Sequence, residues 1–197
     1  MLMNDMEKMR FFESVDPVLV DELLGHWQSI CPKMGICAFL PEADKHQVSL
    51  LQRVCAQRHV PLLGAIFPAL IHQAAFHAHG IWLMRLDEMP FYALHANLPT
   101  EPDDLELHCQ QLTQPIVEQL APGQEYTLFM LFDAMVPLIG SMLDGIYLQL
   151  ANRVHYAGAN AGSETFAPMA CLFDGQRLVQ NAVLLVLLPM HKGAILE

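Results

Sequence analysis

Along this chain, stretches whose apolar residues recur at helical spacing alternate with short, unbroken apolar runs. Asp16-Pro17 predicts the first helix start, since Asp caps and Pro fits the first helical position. Val18, Leu19, Val20, Leu23, Leu24 and Trp27 give that helix one apolar face as far as Ile30, and Cys31-Pro32 ends it. Gly35 to Leu40 is an unbroken apolar run closed by Pro41, the pattern of a strand buried on both faces. Asp44 is placed to cap a second helix with Val48, Leu51, Val54 and Cys55 turned inward. Val60 to Ile66 and Ile81 to Leu86 read as strands, with a His-rich hairpin turn between them. The joint Pro99 to Pro102 precedes an acidic-start helix from Asp103 to Leu120, in which Pro115 predicts a kink or break. Tyr126 to Phe132 is a strand leading into Asp133. A regular amphipathic helix follows from Pro137, carried by Ile139, Met142, Leu143, Ile146, Tyr147 and Leu150. Val154 to Gly158 is a strand followed by a Gly/Ala/Asn/Ser turn. Met169 to Phe173, a turn at Asp174-Gly175 and Val183 to Leu188 complete a hairpin or meander.

The order occurs twice. Strand 35–40, helix 44–58, strand 60–66 and a hairpin ending in 81–86 parallel strand 126–132, helix 137–151, strand 154–158 and a hairpin ending in 183–188. A right-handed crossover makes the first two strands of each half parallel, and the hairpin adds antiparallel ones. The expected fold class is α/β: a single domain, 33–197, of two similar strand-helix-strand-strand-strand halves at about 33–98 and 124–190. Its mixed sheet or sheets would be flanked by helices, behind an N-terminal helical segment at 1–32. One mixed sheet and two facing sheets both satisfy the pattern.

Composition narrows the function. The chain has 197 residues, 10 Lys+Arg against 21 Asp+Glu, a formal charge of −11, and 53% hydrophobic residues. Its basic residues are scattered singly, whereas phosphate binding needs them clustered, so nucleic acid is not an expected partner. The run Ala182 to Leu188 is stopped by Pro189, far short of the roughly 20 residues of a membrane helix. The N-terminus carries charges throughout and lacks the apolar core of a secretory signal. Five widely spaced cysteines without a CxxC pair read as reduced thiols, which points to the cytoplasm and away from a cysteine zinc site.

The informative local feature is a pair of Gly-bearing turns after the second strand of each half. They are Gly64-Ala-Ile-Phe67-Pro68 and Gly158-Ala-Asn160-Ala-Gly162-Ser163. Open sheets bind ligands beyond the C-terminal ends of parallel strands, where glycine permits close approach, and Asp133 would open onto the same edge. The bland alternative is two tight turns with unusual dihedrals. No enzyme is expected: Ser141 and Ser163 lie outside GxSxG, and HExxH is absent. Nothing orders Asp133, His155 and a cysteine as base, orienter and nucleophile.

The order of LLGAIFPALI, HGIWLMRL, LFDAM, HYAGANAG, CLFDG and NAVLLVLLP resembles the N-terminal FIST domain over about residues 33–189. The resemblance implies a bacterial sensory module in signal transduction, binding a small molecule, with amino acids as proposed ligands. Together with the two Gly-bearing turns, it places the expected ligand-binding residues at Gly64, Phe67, Asp133, Gly158, Asn160, Gly162 and Ser163. Family members usually carry Gly-Gly then Ala-Gly-Asp where this chain has Gly158 to Ser163, so the acidic side chain is absent. Their first turn is often polar where this one is Ala65-Ile66-Phe67-Pro68, so a different ligand, or none, is implied. The chain stops at Glu197, before any companion C-terminal domain, as an excised domain or a short stand-alone member would.

No cofactor is expected under the leading reading, and the partners are a small-molecule ligand and a signalling protein or companion C-terminal domain. Some relatives are haem proteins that sense nitric oxide. A haem alternative therefore rests on His72, His77 and His79, with His77 and His79 projecting from one strand face at i, i+2. A further alternative is a structural module that dimerises with a second copy through a sheet edge and binds no ligand.

Overall fold

The computed structural model describes residues 8–190. In chain order these form β1 (Met9–Phe12), α1 (Pro17–Ile30), β2 (Gly35–Pro41), α2 (Val48–Gln57), β3 (Leu62–Phe67), β4 (Leu70–His72), β5 (Ala75–His77), β6 (Ile81–Leu86) and β7 (Phe91–Ala96). Then follow α3 (Leu105–Gln119), β8 (Tyr126–Asp133), α4 (Ile139–Leu150), β9 (His155–Ala161), β10 (Leu172–Asp174), β11 (Leu178–Val179) and β12 (Ala182–Pro189). The architecture is α/β, with mixed strand directions and four α-helices. By contacts the chain divides into two compact units. One holds residues up to Met89 together with Ala161–Gln180, the other Pro90–Asn160 together with the chain from Asn181.

The first unit is built on a six-stranded sheet in the order β1-β6-β2-β3-β10-β11. β2 pairs parallel with β3 and antiparallel with β6, as the crossover and hairpin reading requires. Ile36, Ala38 and Leu40 on one face are fully buried, and on the other Cys37 is buried and Phe39 half-buried, which explains why this central strand is apolar without alternation. Asp16 caps α1 by accepting from the Val18 and Leu19 N–H groups at 2.8 and 3.4 Å. A bidentate pair of Arg58 with Asp21 ties the end of α2 to α1 and holds the Asp21 carboxyl below its ordinary value.

Four expectations need correction here. The N-terminal segment is not wholly helical, because Met9–Phe12 is an edge strand on β6; four residues that follow Lys8 and include Arg10 carry no strand signal of their own. Asp44 caps no helix. The chain runs through a 3₁₀ turn, Glu42–Gln47, and the Asp44 carboxylate accepts from the Gly80 N–H at 2.7 Å instead. The His-rich stretch is a separate ribbon, β4–β5, rather than a bare turn. Finally, β10 does not pair with β12. It pairs with β11 and β3, while β12 belongs to the other sheet.

The reason for the last is Asp174, whose carboxylate accepts from the Gln176 and Arg177 N–H groups at 2.9 and 2.7 Å and reverses the chain at once. Its Oδ2 also holds the Arg177 guanidinium at 2.7 Å. Burial raises the pKa of this carboxyl, but the bonds to Arg177 and Gln176 outweigh it and the net displacement is downward. A depressed carboxylate contributes stability that is present above its unfolded pKa and lost as pH falls through the folded value. Asp174→Asn should therefore cost about 2 kcal/mol at pH 7. In urea titrations at successive pH values, the gap to the wild type should close below about pH 4.

The second unit has a four-stranded sheet in the order β7-β12-β8-β9. β12 runs antiparallel to both β7 and β8 and is buried from Ala182 to Leu187. Leu128, Met130 and Phe132 of β8 and Val183, Leu185 and Leu187 of β12 join Leu112, Ile116, Met142, Ile146 and Leu150 of α3 and α4 in one core. The helices approach closely where Gly145 meets Cys109; a Cβ at Gly145 would lie 2.6 Å from the Cys109 sulfur. Pro115 neither breaks nor ends α3, which runs on to Gln119. Burial of Leu112 and Ile116 on either side of it offsets the roughly 3 kcal/mol that an interior proline costs. β6-β2-β3 and β12-β8-β9 follow the same order of strands, but the compact units do not coincide with the sequence halves.

Candidate functional site

The residues singled out from sequence divide between the units. Gly64, Phe67, Gly162 and Ser163 lie in the first, and Asp133, Gly158 and Asn160 in the second. Neither Gly-bearing segment is the turn it was expected to be. Gly64 to Phe67 forms the end of β3, and Gly158 to Ala161 continues β9. Both glycines serve close packing. A Cβ at Gly64 would stand 2.1 Å from the Ala38 carbonyl oxygen and 2.4 Å from the Phe173 ring. One at Gly158 would stand 2.2 Å from the Met130 carbonyl oxygen. Apolar runs hide this role, because a glycine within a strand looks the same in sequence as a glycine after it.

In the first unit, the Gly162 N–H donates to the Ile66 carbonyl at 2.9 Å, bringing it beside the end of β3 at a φ of +143°. The Phe67 ring meets Phe39 edge-on at 5.3 Å. Ser163 is buried, and its hydroxyl donates to Glu42 at 3.1 Å, while the Glu164 N–H donates to the other Glu42 oxygen. Glu42 thus fastens this segment, a role no local motif announces. In the second unit, Asp133 is 3% exposed at the end of β8. Its carboxylate accepts from the Met135 N–H at 3.0 Å and the Asn181 N–H at 2.6 Å, joining two chain turns. These groups have protein partners already, and each partner explains the residue type.

Gly158 and Asn160 are placed differently. They line a cleft of about 420 Å³ in the second unit, with Met130 and Phe132 of β8, Ile139 and Leu143 of α4, and Tyr156, Ala157 and Ala159 of β9. β9 is the edge strand of its sheet, and Ala157 to Asn160 are exposed. Because Gly158 has no side chain, the β8 surface is reachable beside α4. Tyr147 and Tyr156 meet with ring centroids 5.7 Å apart. The lining contains no charged side chain. It offers an apolar wall, the Asn160 amide and the backbone of an edge strand, which suits orientation of a small ligand rather than acid–base chemistry. Met130, Ile139, Leu143 and Tyr156 were legible only as core-facing residues.

The histidines form a different cluster. His72 of β4 stacks on Phe11 at 4.4 Å and meets Trp82 edge-on at 5.2 Å, and His77 lies 5.7 Å from His72. His79 lies outside β5, so it does not share a strand face with His77; its ring meets the Asp44 carboxylate at 3.2 Å. The His77 ring also meets Phe11 edge-on at 5.0 Å, and Phe11 meets Trp82 at 5.3 Å, so these rings form one aromatic cluster. Among the described residues no group of three or more His, Cys, Asp or Glu side chains could hold a metal ion. Burial pushes the Cys37 and Cys55 thiols up to about 12. No described helix is long and apolar enough to cross a membrane.

No curated protein and no solved structure matches the chain at a significant level. A family model described as the FIST N domain matches residues 34–195, most of the chain. That family consists of sensory domains in signal transduction, and it is not a family of catalysts. With its α/β order and the match spanning both units, the chain belongs to the FIST N domain family.

Proposed function

We propose that this chain is a non-catalytic sensory domain of bacterial, cytoplasmic signal transduction, and that it binds an amino acid or a metabolite of similar size in the cleft between β9 and α4. The observation that carries the reading is the cleft itself. Its roughly 420 Å³ falls within the range of small-molecule sites, its walls are mainly apolar, and it contains Gly158 and Asn160. Asp133 and Ser163, by contrast, spend their polar atoms on the fold. A ligand there touches both α4 and the exposed edge of β9. Its binding free energy can then favour one arrangement of that surface over another, which is what a signalling protein or companion C-terminal domain would read.

The test is a thermal-shift panel of free L-amino acids and small metabolites on the wild type and on Leu143→Trp. Leu143 is 38% exposed, so an indole there fills the cleft without entering the core. A ligand at 100 times its dissociation constant adds about 2.7 kcal/mol of stability to the wild type. That shift should vanish in Leu143→Trp. A panel that moves neither protein, or both alike, would sink the proposal.

A further inference from the structure

The helices of the second unit carry a groove that the ligand cleft does not use. It holds about 470 Å³ between α3 and α4, which close on one another where Gly145 meets Cys109. The two sites take different flanks of α4: Ile139 and Leu143 line the cleft, whereas Asp144, Gly145 and Leu148 line the groove. Leu105, Cys109 and Leu148 give the groove its apolar surface. Leu148 is 80% exposed, outside the inward face that Met142, Ile146 and Leu150 already supply. Glu106 and Asp144 add two carboxylates. The α3 dipole accounts for Glu106, which lies in the first turn of its helix. Asp144 sits mid-helix, and its i±3 and i±4 neighbours, Gly140, Ser141, Tyr147 and Leu148, include no base.

We infer that this groove receives an amphipathic, Lys- and Arg-bearing helix of a partner protein, with its apolar stripe on Leu105 and Leu148 and its cationic flanks on Glu106 and Asp144. Charge selects the occupant. Among the described residues of this unit the single Lys or Arg is Arg153, whose guanidinium donates to the Leu150 and Gln149 carbonyls. The described part of the unit therefore leaves no Lys or Arg to answer Glu106 and Asp144, nor the exposed Glu101, Asp103 and Asp104 just before α3. Carboxylates there repel nucleic-acid phosphate, anionic lipid and a second copy of charge −11, and they attract a cationic segment. The shape selects a helix. From Ser141 to Leu148 the groove wall runs about 10 Å along α4, two helical turns, which matches anchors at i, i+3 or i+4, and i+7 of a helix laid between α3 and α4. The inference requires no ligand in the β9–α4 cleft.

Fluorescence anisotropy of the full chain with a labelled peptide of about 18 residues tests this, with Leu at i, i+3, i+4 and i+7 as the stripe and Lys elsewhere. The wild type should bind the peptide in the micromolar range at low salt and about tenfold more weakly in about 0.5 M salt. A scrambled peptide of the same composition lacks the stripe and should also bind about tenfold more weakly. Glu106→Gln combined with Asp144→Asn, both exposed and of unchanged shape, should lose about tenfold, and Leu148→Ala a similar factor. Glu118→Gln combined with Glu125→Gln removes the same charge from the same unit outside the groove and should bind like the wild type. A wild type that binds no peptide, equal losses in the two charge pairs, or equal binding of the scrambled peptide overturns the inference. So does a linear aliphatic triamine that binds as tightly as the peptide, since the groove would then be a site for small amines. The metabolite cleft is read by thermal shift and the groove by anisotropy, so failure of either is recognised separately.

Discussion

Gly64→Val is expected to abolish folding, and Gly64→Ala to cost about 3 kcal/mol or more, the upper range for an overpacked core. A single Cβ at this position lands 2.1 Å from the Ala38 carbonyl oxygen and 2.4 Å from Phe173. The carbonyl belongs to β2, the parallel partner of β3, and Phe173 belongs to β10, its antiparallel partner. Neither backbone can withdraw without parting the centre of the six-stranded sheet. With total stabilities of 5–15 kcal/mol typical, the valine's additional methyl groups exceed what remains. Gly140 is the control, because nothing lies within 4 Å of a Cβ there; Gly140→Ala in α4 should stabilise by about 0.5–1 kcal/mol. Urea unfolding of the three variants measures all of these values. Equal stability of Gly64→Ala and wild type would show that the glycine is a flexible turn after all.

Asp133→Ala should lose about 2–3 kcal/mol, since it strands two part-buried backbone donors at once. The Met135 and Asn181 N–H groups both end on this carboxylate, at 3.0 and 2.6 Å. Asn181 in turn donates its side-chain amide to the Leu98 carbonyl at 3.0 Å, and the Leu98 N–H returns a bond to the Asn181 carbonyl. The carboxylate therefore sets where β12 begins. Asp133→Asn keeps one acceptor and should lose about half as much. Should Asp133 instead be spared for ligand, Asp133→Ala would remain as stable as the wild type and lose only its response to the metabolite panel.

Much of the fold was legible because it is written in local pattern. Asp16-Pro17 marked α1, the unbroken runs of β2, β8 and β12 marked buried strands, and the residues at helical spacing marked α2 and α4. The misses share a cause: they depend on partners distant in sequence. Met9–Phe12 is a strand only because β6 offers an edge, and Phe91–Ala96 only because β12 does. The exit of β12 to another sheet depends on Asp174 and Asp133 closing two turns. The candidate site shows the same division. Gly158 and Asn160, which line the candidate cleft, were singled out from a glycine-bearing segment read as a turn, where the chain forms a strand. Leu143, Ile139 and Met130 were visible as apolar periodicity, but the cleft they share exists only once α4 lies beside an edge strand.

The central claim is that the β9–α4 cleft receives the signal molecule, and ¹H–¹⁵N NMR titration with the amino acid that most stabilises the protein tests it most directly. The account predicts that the largest shift changes fall on Ile139, Leu143 and Tyr156 to Asn160, the residues that line the cleft. Changes centred instead on Gly64 to Phe67 and Gly162-Ser163, or no saturable change from any amino acid, would contradict it.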